Sequence, residues 1–320
     1  MHKIFNYSSI VKMLIAVVPA TILSYFLSQP IYLICGLYAA AVIIPFCDHS
    51  SKRIAFVMLI FLFGITFALV KLLAHSDFYF IAIVSIIAVM IGIIETYNTS
   101  FKSMGAYLFI GIIYTAFETR AYSDLITITM MAKLFGVSLL SIVIVFLINL
   151  RTQAIKGYQN FTLQLQSQHS LHYCVYFLPI LASMLVWHFL QLAEPQWLLW
   201  SSLSVASLSF KKARDKIQKR ITGACIGLSL GIIVTLLFNL NSPLIFNLSF
   251  IGIILSLRGL KNYTASFAIR CFFIVIFAGA HFLYTSSDRI VDVFIGGLIG
   301  LISSAILNYF IQRQHNKILH

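Results

Sequence analysis

Ionised side chains are scarce in this chain, and those inside its apolar runs are where binding or proton chemistry is to be sought. Arg270 stands foremost. At about 1.5 Å per helical residue it lies roughly 13 Å beyond Lys261, deep within an apolar run. A permanently charged guanidinium at that depth can grip a carboxylate through two parallel N–H···O bonds, or can pair structurally with an acid or exposed carbonyls. Lys133 is the second candidate for anion binding, although a long stem can also carry its ammonium to an interface. Asp292 begins the last run, where a carboxylate either couples to protons or is satisfied by helix-start donors. His188 and His281 lie toward the ends of their runs, where an imidazole either titrates near neutral pH or acts as an interfacial anchor.

No catalytic constellation emerges. The chain holds 9 acids and 9 histidines, spread thinly, and it lacks a glycine-rich phosphate loop with its lysine. Five cysteines, Cys35, Cys47, Cys174, Cys225 and Cys271, show neither a disulfide framework nor metal-ligand spacing. The sequence therefore leads to no enzyme, metal or cofactor.

The elements that position these residues are apolar throughout. Hydrophobic residues make up 60% of the chain and charged residues 10%, and the mean hydropathy is +0.96, far from a soluble domain. The composition implies an all-α polytopic membrane protein. Runs near 8–28, 31–46, 54–74, 77–94, 103–118 and 125–150 are followed by a second set near 173–193, 197–210, 221–240, 243–257, 262–284 and 290–312. These predict about twelve transmembrane helices, with 31–46, 103–118, 197–210 and 243–257 the weakest signals and ten spans the alternative. The first run lacks a small-residue cleavage site and is expected to remain as an anchor.

Basic residues sort by membrane side under this scheme, which places both termini in the cytoplasm. Inner segments receive Lys52, Arg53, Lys102 and Arg151 together with the run Lys211, Lys212, Arg214, Lys216, Lys219 and Arg220; outer segments receive only Lys71, Arg120 and Arg289. Topology thus explains the net charge of +13 without nucleic acid. The 211–220 run is read as a cytoplasmic basic loop that orients the chain, meets anionic headgroups, or gathers anionic substrate. Trp187, Trp197 and Trp200 read as an outer aromatic belt.

The two sets share landmarks. Lys52-Arg53-Ile54 precedes Gly64-Ile65 at the same spacing as Lys219-Arg220-Ile221 precedes Gly231-Ile232, while Pro19, Pro30 and Arg151 answer Pro179, Pro195 and Arg313. This predicts two homologous six-helix halves, 1–150 and 173–320, joined by a Gln-rich cytoplasmic linker at 151–172. Arg270 breaks the symmetry, since its counterpart is approximately Gly111. Two small-residue stripes, Gly223, Gly227 and Gly231, and Gly296, Gly300 and Ser304, mark close helix packing. The two helices that carry them are expected to lie against each other or across the interface between halves.

Three stretches resemble the fusaric-acid-resistance and aromatic acid exporter family. Arg220-Ile221-Thr222-Gly223-Ala224-Cys225-Ile226-Gly227 follows its Arg-x-x-Gly-x-x-x-Gly pattern, Pro195 to Leu203 is similar to its Pro/Trp-led second span, and Arg289 to Gly296 is similar to its closing helix. The likeness covers roughly 171–312 and thins across 8–150. It implies an inner-membrane exporter of aromatic or other weak carboxylic acids, built of six-helix units and working beside a periplasmic membrane-fusion protein. The linker and tail are too short for the large cytoplasmic domains of many members. The expected surroundings are the lipid bilayer, a small organic anion, such a fusion protein, and further copies of the chain in a homo-oligomer. Proton influx is the expected drive. An anion channel on the same scaffold, a major-facilitator-type transporter, and a membrane-bound enzyme are the alternatives.

Overall fold

The computed structural model describes residues 6–46, 52–97, 109–117, 128–152, 174–192, 194–238, 240 and 242–318. The linker beyond Thr152 and Cys47 lie outside them. In chain order the helices are α1 (Tyr7–Leu27), α2 (Leu33–Phe46), α3 (Lys52–His75), α4 (Asp77–Tyr97), α5 (109–117), α6 (Ile128–Thr152), α7 (Cys174–Leu190), α8 (Pro195–Val205), α9 (Phe210–Phe238), α10 (Pro243–Ser256), α11 (Tyr263–Phe277) and α12 (Phe282–Ile318). The chain is a multi-pass helical membrane protein. Among the described residues, four segments are long and apolar enough by themselves to cross a bilayer: Ser9–Leu27, Thr129–Leu147, Phe210–Phe238 and Gly279–Arg313.

Local chemistry sets the helix boundaries. Proline opens α8 and α10, where its missing N–H goes unneeded. The Ser242 side chain accepts from the Ile245 amide to cap α10, and Asn262 accepts from the Thr264 and Ala265 amides to cap α11. After α1 and α7 the chain reverses through left-handed residues, Ser28 at φ 52° and Gln191 at φ 50°, each shortly before a proline. Pro19 and Pro179 both lie inside the preceding helix.

Small residues govern the packing of the second set of helices. A Cβ at Gly223 would meet the Thr264 carbonyl at 2.9 Å, one at Gly227 would strike the Ala268 carbonyl, and one at Gly231 would meet Val275 at 2.8 Å. The contacts advance in the same sense along both helices, so α9 and α11 run parallel with their backbones nearly touching. Gly296 and Gly300 advance likewise along α8, toward Leu198 and Ser201 and then Ser202 and Val205. The two helices that carry the stripes do pack on each other as expected, but not through the stripes themselves. Each receives a different helix, and α9 meets α12 elsewhere, where Gly297 lies against Ile217.

The basic run at 211–220 is likewise helix rather than loop, forming the first three turns of α9. Its Ala213, Ile217 and Arg220 recur at helical spacing and are buried, Ala213 and Ile217 packing with Val205 and Leu301. Lys211, Lys212, Arg214 and Lys219 stay exposed and Lys216 is half-buried. Arg220 is turned away from them, into the protein.

The first and second sets of helices meet through α1 on α10 and α4 on α7. At the α4–α7 contact Trp187 fits edge-on against Phe80 and Phe117. This buries an indole expected in the outer aromatic belt, because the aromatic rings of two neighbouring helices enclose it.

Candidate anion site

Three arginines converge on one aromatic ring inside the protein. Arg220 from α9, Arg270 from α11 and Arg289 from α12 are 1%, 6% and 2% exposed. Their guanidinium carbons lie 4.2, 5.8 and 5.8 Å from the centroid of Phe267 on α11. Trp197 and Trp200, one turn apart on α8, stack with planes 6° from parallel. Arg289 lies 3.9 Å over Trp197, and Arg270 lies 4.9 Å over Trp200. Each charge thus rests on a π-face, which stabilises a buried cation more than an exposed one. These tryptophans were expected at the outer interface. They are instead 7% and 8% exposed, drawn in because α8 is clasped by α12 through Gly296 and Gly300.

Hydrogen bonds fix two of the three guanidinium groups. Arg220 donates from Nη1 to the Tyr263 hydroxyl at 3.0 Å and from Nη2 to Ser201 Oγ at 2.9 Å. Arg270 donates from Nε to Ser256 Oγ at 3.1 Å and from Nη2 to the Ser256 carbonyl at 3.4 Å. That carbonyl ends α10, the partly negative end of a helix. Among the described residues nothing takes a hydrogen bond from Arg220 Nε or from Nε and Nη1 of Arg289. Charged donors left open in the interior are destabilising unless a ligand meets them, and within a membrane they are rare outside functional sites.

Acids gather on the Arg289 side. Asp292, 3% exposed, has its Oδ2 without a hydrogen-bond partner. Asp288 on α12 and Glu194 just ahead of α8 are its acidic neighbours. Burial pushes the Glu194 carboxyl above the usual carboxylate range, and its hydrogen bond with Gln196 draws it back in part. Cys271 on α11 lies beside Arg289.

The other candidates fall elsewhere. Lys133 is exposed on α6, which packs on α1, α2 and α3 rather than on the helices bearing the arginines. His188 Nδ1 lies 3.3 Å from Asp77 Oδ2, joining α7 to α4, with Phe78 at 4.7 Å from its ring. His281 is exposed in the turn between α11 and α12.

Sequence reasoning found Arg270 and missed its two companions. By charge sorting alone, Arg220 falls in the basic run and Arg289 among the outer charges. A signal existed, for each sits on the small-residue face of its helix: Arg220 one turn before Gly223 and two before Gly227, Arg289 two turns before Gly296. A charge in register with a glycine stripe points at a neighbouring backbone rather than at lipid or water.

No curated protein and no solved structure matches this chain. The stretch holding all three arginines, both tryptophans of the aromatic floor and both glycine stripes, residues 181–303, matches the family model described as fusaric acid resistance protein-like, the resemblance that the sequence motifs carry.

Proposed function

We propose that the chain is an efflux transporter of the cell inner membrane that exports small organic anions, aromatic or other carboxylic acids, and that Arg270, Arg220 and Arg289 hold the carboxylate. The observation that carries this reading is the set of three buried guanidinium groups over one aromatic floor, two of them with open N–H groups. Guanidinium forks select carboxylates, and the indoles beside them offer flat apolar faces to the rest of such a ligand. Membrane efflux also suits the matched family.

In this reading the chain crosses the membrane twelve times as two six-helix halves, 1–150 and 173–320, with both termini cytoplasmic. The exposed lysines and arginine at the start of α9 gather the anion at the inner face. The halves then move against one another to open the site outward, alone or beside a periplasmic membrane-fusion protein.

The test is export of labelled aromatic carboxylates from cells carrying Arg220→Gln, Arg270→Gln or Arg289→Gln at normal abundance. Each substitution removes a charge-assisted contact worth about 1.5–3 kcal/mol, so export should fall about tenfold or more. Export at wild-type rates from all three would place the substrate elsewhere. In proteoliposomes, accumulation against a gradient marks a carrier, whereas a conductance without coupling marks an anion channel on the same scaffold.

A further inference from the structure

Asp292 stands three residues after Arg289, on the same face of α12. Both are buried, yet no hydrogen bond or ion pair joins them. Arg289 keeps Nε and Nη1 open, and Asp292 keeps Oδ2 open. The charged and titratable groups facing this pair are Asp288 on α12, Glu194 ahead of α8, Cys271 on α11, Arg220 on α9 and Tyr114 on α5. Arg289 thus offers open N–H groups at Nε and Nη1 to an incoming carboxylate, with a second, fixed carboxylate one turn away.

Electrostatics sets the sign of the coupling between them. An anion arriving at Arg289 places a like charge near Asp292 in a medium that screens poorly, and this favours the protonated form of Asp292. By reciprocity, a proton on Asp292 strengthens anion binding by the same factor. We propose that the anion on Arg289 and a proton on Asp292 bind cooperatively and cross the membrane together, in the same direction. The inference rests on reading the arginine group as the substrate site. The proton adds to a carboxylate oxygen of Asp292 from water on the loading side and returns to water on the releasing side, with no bond in the substrate made or broken. Anion and proton cancel in charge. Transport is then electroneutral, its coupling has the opposite sense to an exchange in which protons enter as anions leave, and export runs down the combined gradient of anion and proton.

The test uses the full chain purified in detergent, with benzoate as the probe, titrated calorimetrically near neutral pH in buffers of different ionisation enthalpy. Wild-type protein should take up protons as benzoate binds, approaching one per ligand. Its affinity should fall by up to about tenfold per pH unit on the alkaline side. Asp292→Asn should bind benzoate without proton uptake and with little pH dependence, and Asp292→Glu should restore both. Thermal melting confirms that each variant is folded. Proton release, no proton exchange in the wild type, or uptake that persists in folded Asp292→Asn overturns the inference while leaving the arginine site standing. Should benzoate not bind the wild type, or bind Arg289→Gln undiminished, the reading of the site fails and the inference falls with it.

Discussion

At the scale of single residues, the arginine site is supported by hydroxyl groups that make a buried charge tolerable. Tyr263 and Ser201 each accept one N–H of Arg220, at 3.0 and 2.9 Å. Tyr263→Phe keeps the ring that stacks on Phe267 and removes only the acceptor. A charged donor is then stranded in the interior, which costs about 1–3 kcal/mol. The apparent melting temperature in detergent should drop accordingly, and saturating benzoate should recover part of the loss by binding the folded form alone. A Tyr263→Phe protein as stable as wild type would mean that water reaches Arg220. The three arginines also differ in how far sequence could place them. That Arg270 lay deep followed from its distance to Lys261, because depth along a helix is linear in residue number. Which way Arg220 and Arg289 pointed depended on helix rotation and on the neighbour each helix takes, information carried only weakly by the glycines in register with them.

Among the elements, the glycine stripes hold the arginines in place. Arg220 can reach Ser201 and Tyr263 because Gly223, Gly227 and Gly231 let α9 lie on the backbone of α11. In lipid, such packing contributes what water-driven burial supplies in soluble proteins. Gly227→Ala would drive a methyl group into the Ala268 carbonyl, and a backbone atom cannot turn aside. A loss of about 1–3 kcal/mol in stability is expected, with anion binding lost alongside as the helices separate. Gly64 in α3 shares the motif position of Gly231, yet a Cβ there would meet nothing within 4 Å. Gly64→Ala should be neutral or slightly stabilising, since alanine is the better helix former. Equal effects of the two substitutions on thermal melting would contradict this packing. Gly111, which the sequence spacing sets opposite Arg270, approaches Ala41. The helix boundaries were partly legible from apolar runs, prolines and caps, but α12 began at Phe282 rather than near 290, and α9 began earlier than its apolar run at 221. Its first three turns are amphipathic and charged, so hydropathy alone could not recruit them.

For the molecule as a whole, the directions of the helices bear on how the chain threads the membrane. α9 and α11 run parallel with only α10 between them in sequence, as do α8 and α12 with three helices between. Parallel neighbours separated by an odd number of helices are what strict alternation of crossings produces. The proposed orientation puts the start of α9 in the cytoplasm and the α11–α12 turn outside, so Lys211 and His281, both exposed, should lie on opposite sides. Single cysteines at these two positions, in a chain whose native cysteines are replaced, test this with a membrane-impermeant maleimide. In spheroplasts His281→Cys should label directly, and Lys211→Cys only after permeabilisation. The reverse pattern would invert the orientation and leave the alternation intact. Labelling of both from one side would require an even number of crossings among α9, α10 and α11, which parallel crossings by α9 and α11 do not allow, and would overturn this threading. Opposite-side labelling instead leaves Arg220, Arg270 and Arg289 between two faces, which the two sets of helices that meet at α1–α10 and α4–α7 would expose in turn under the proposed mechanism.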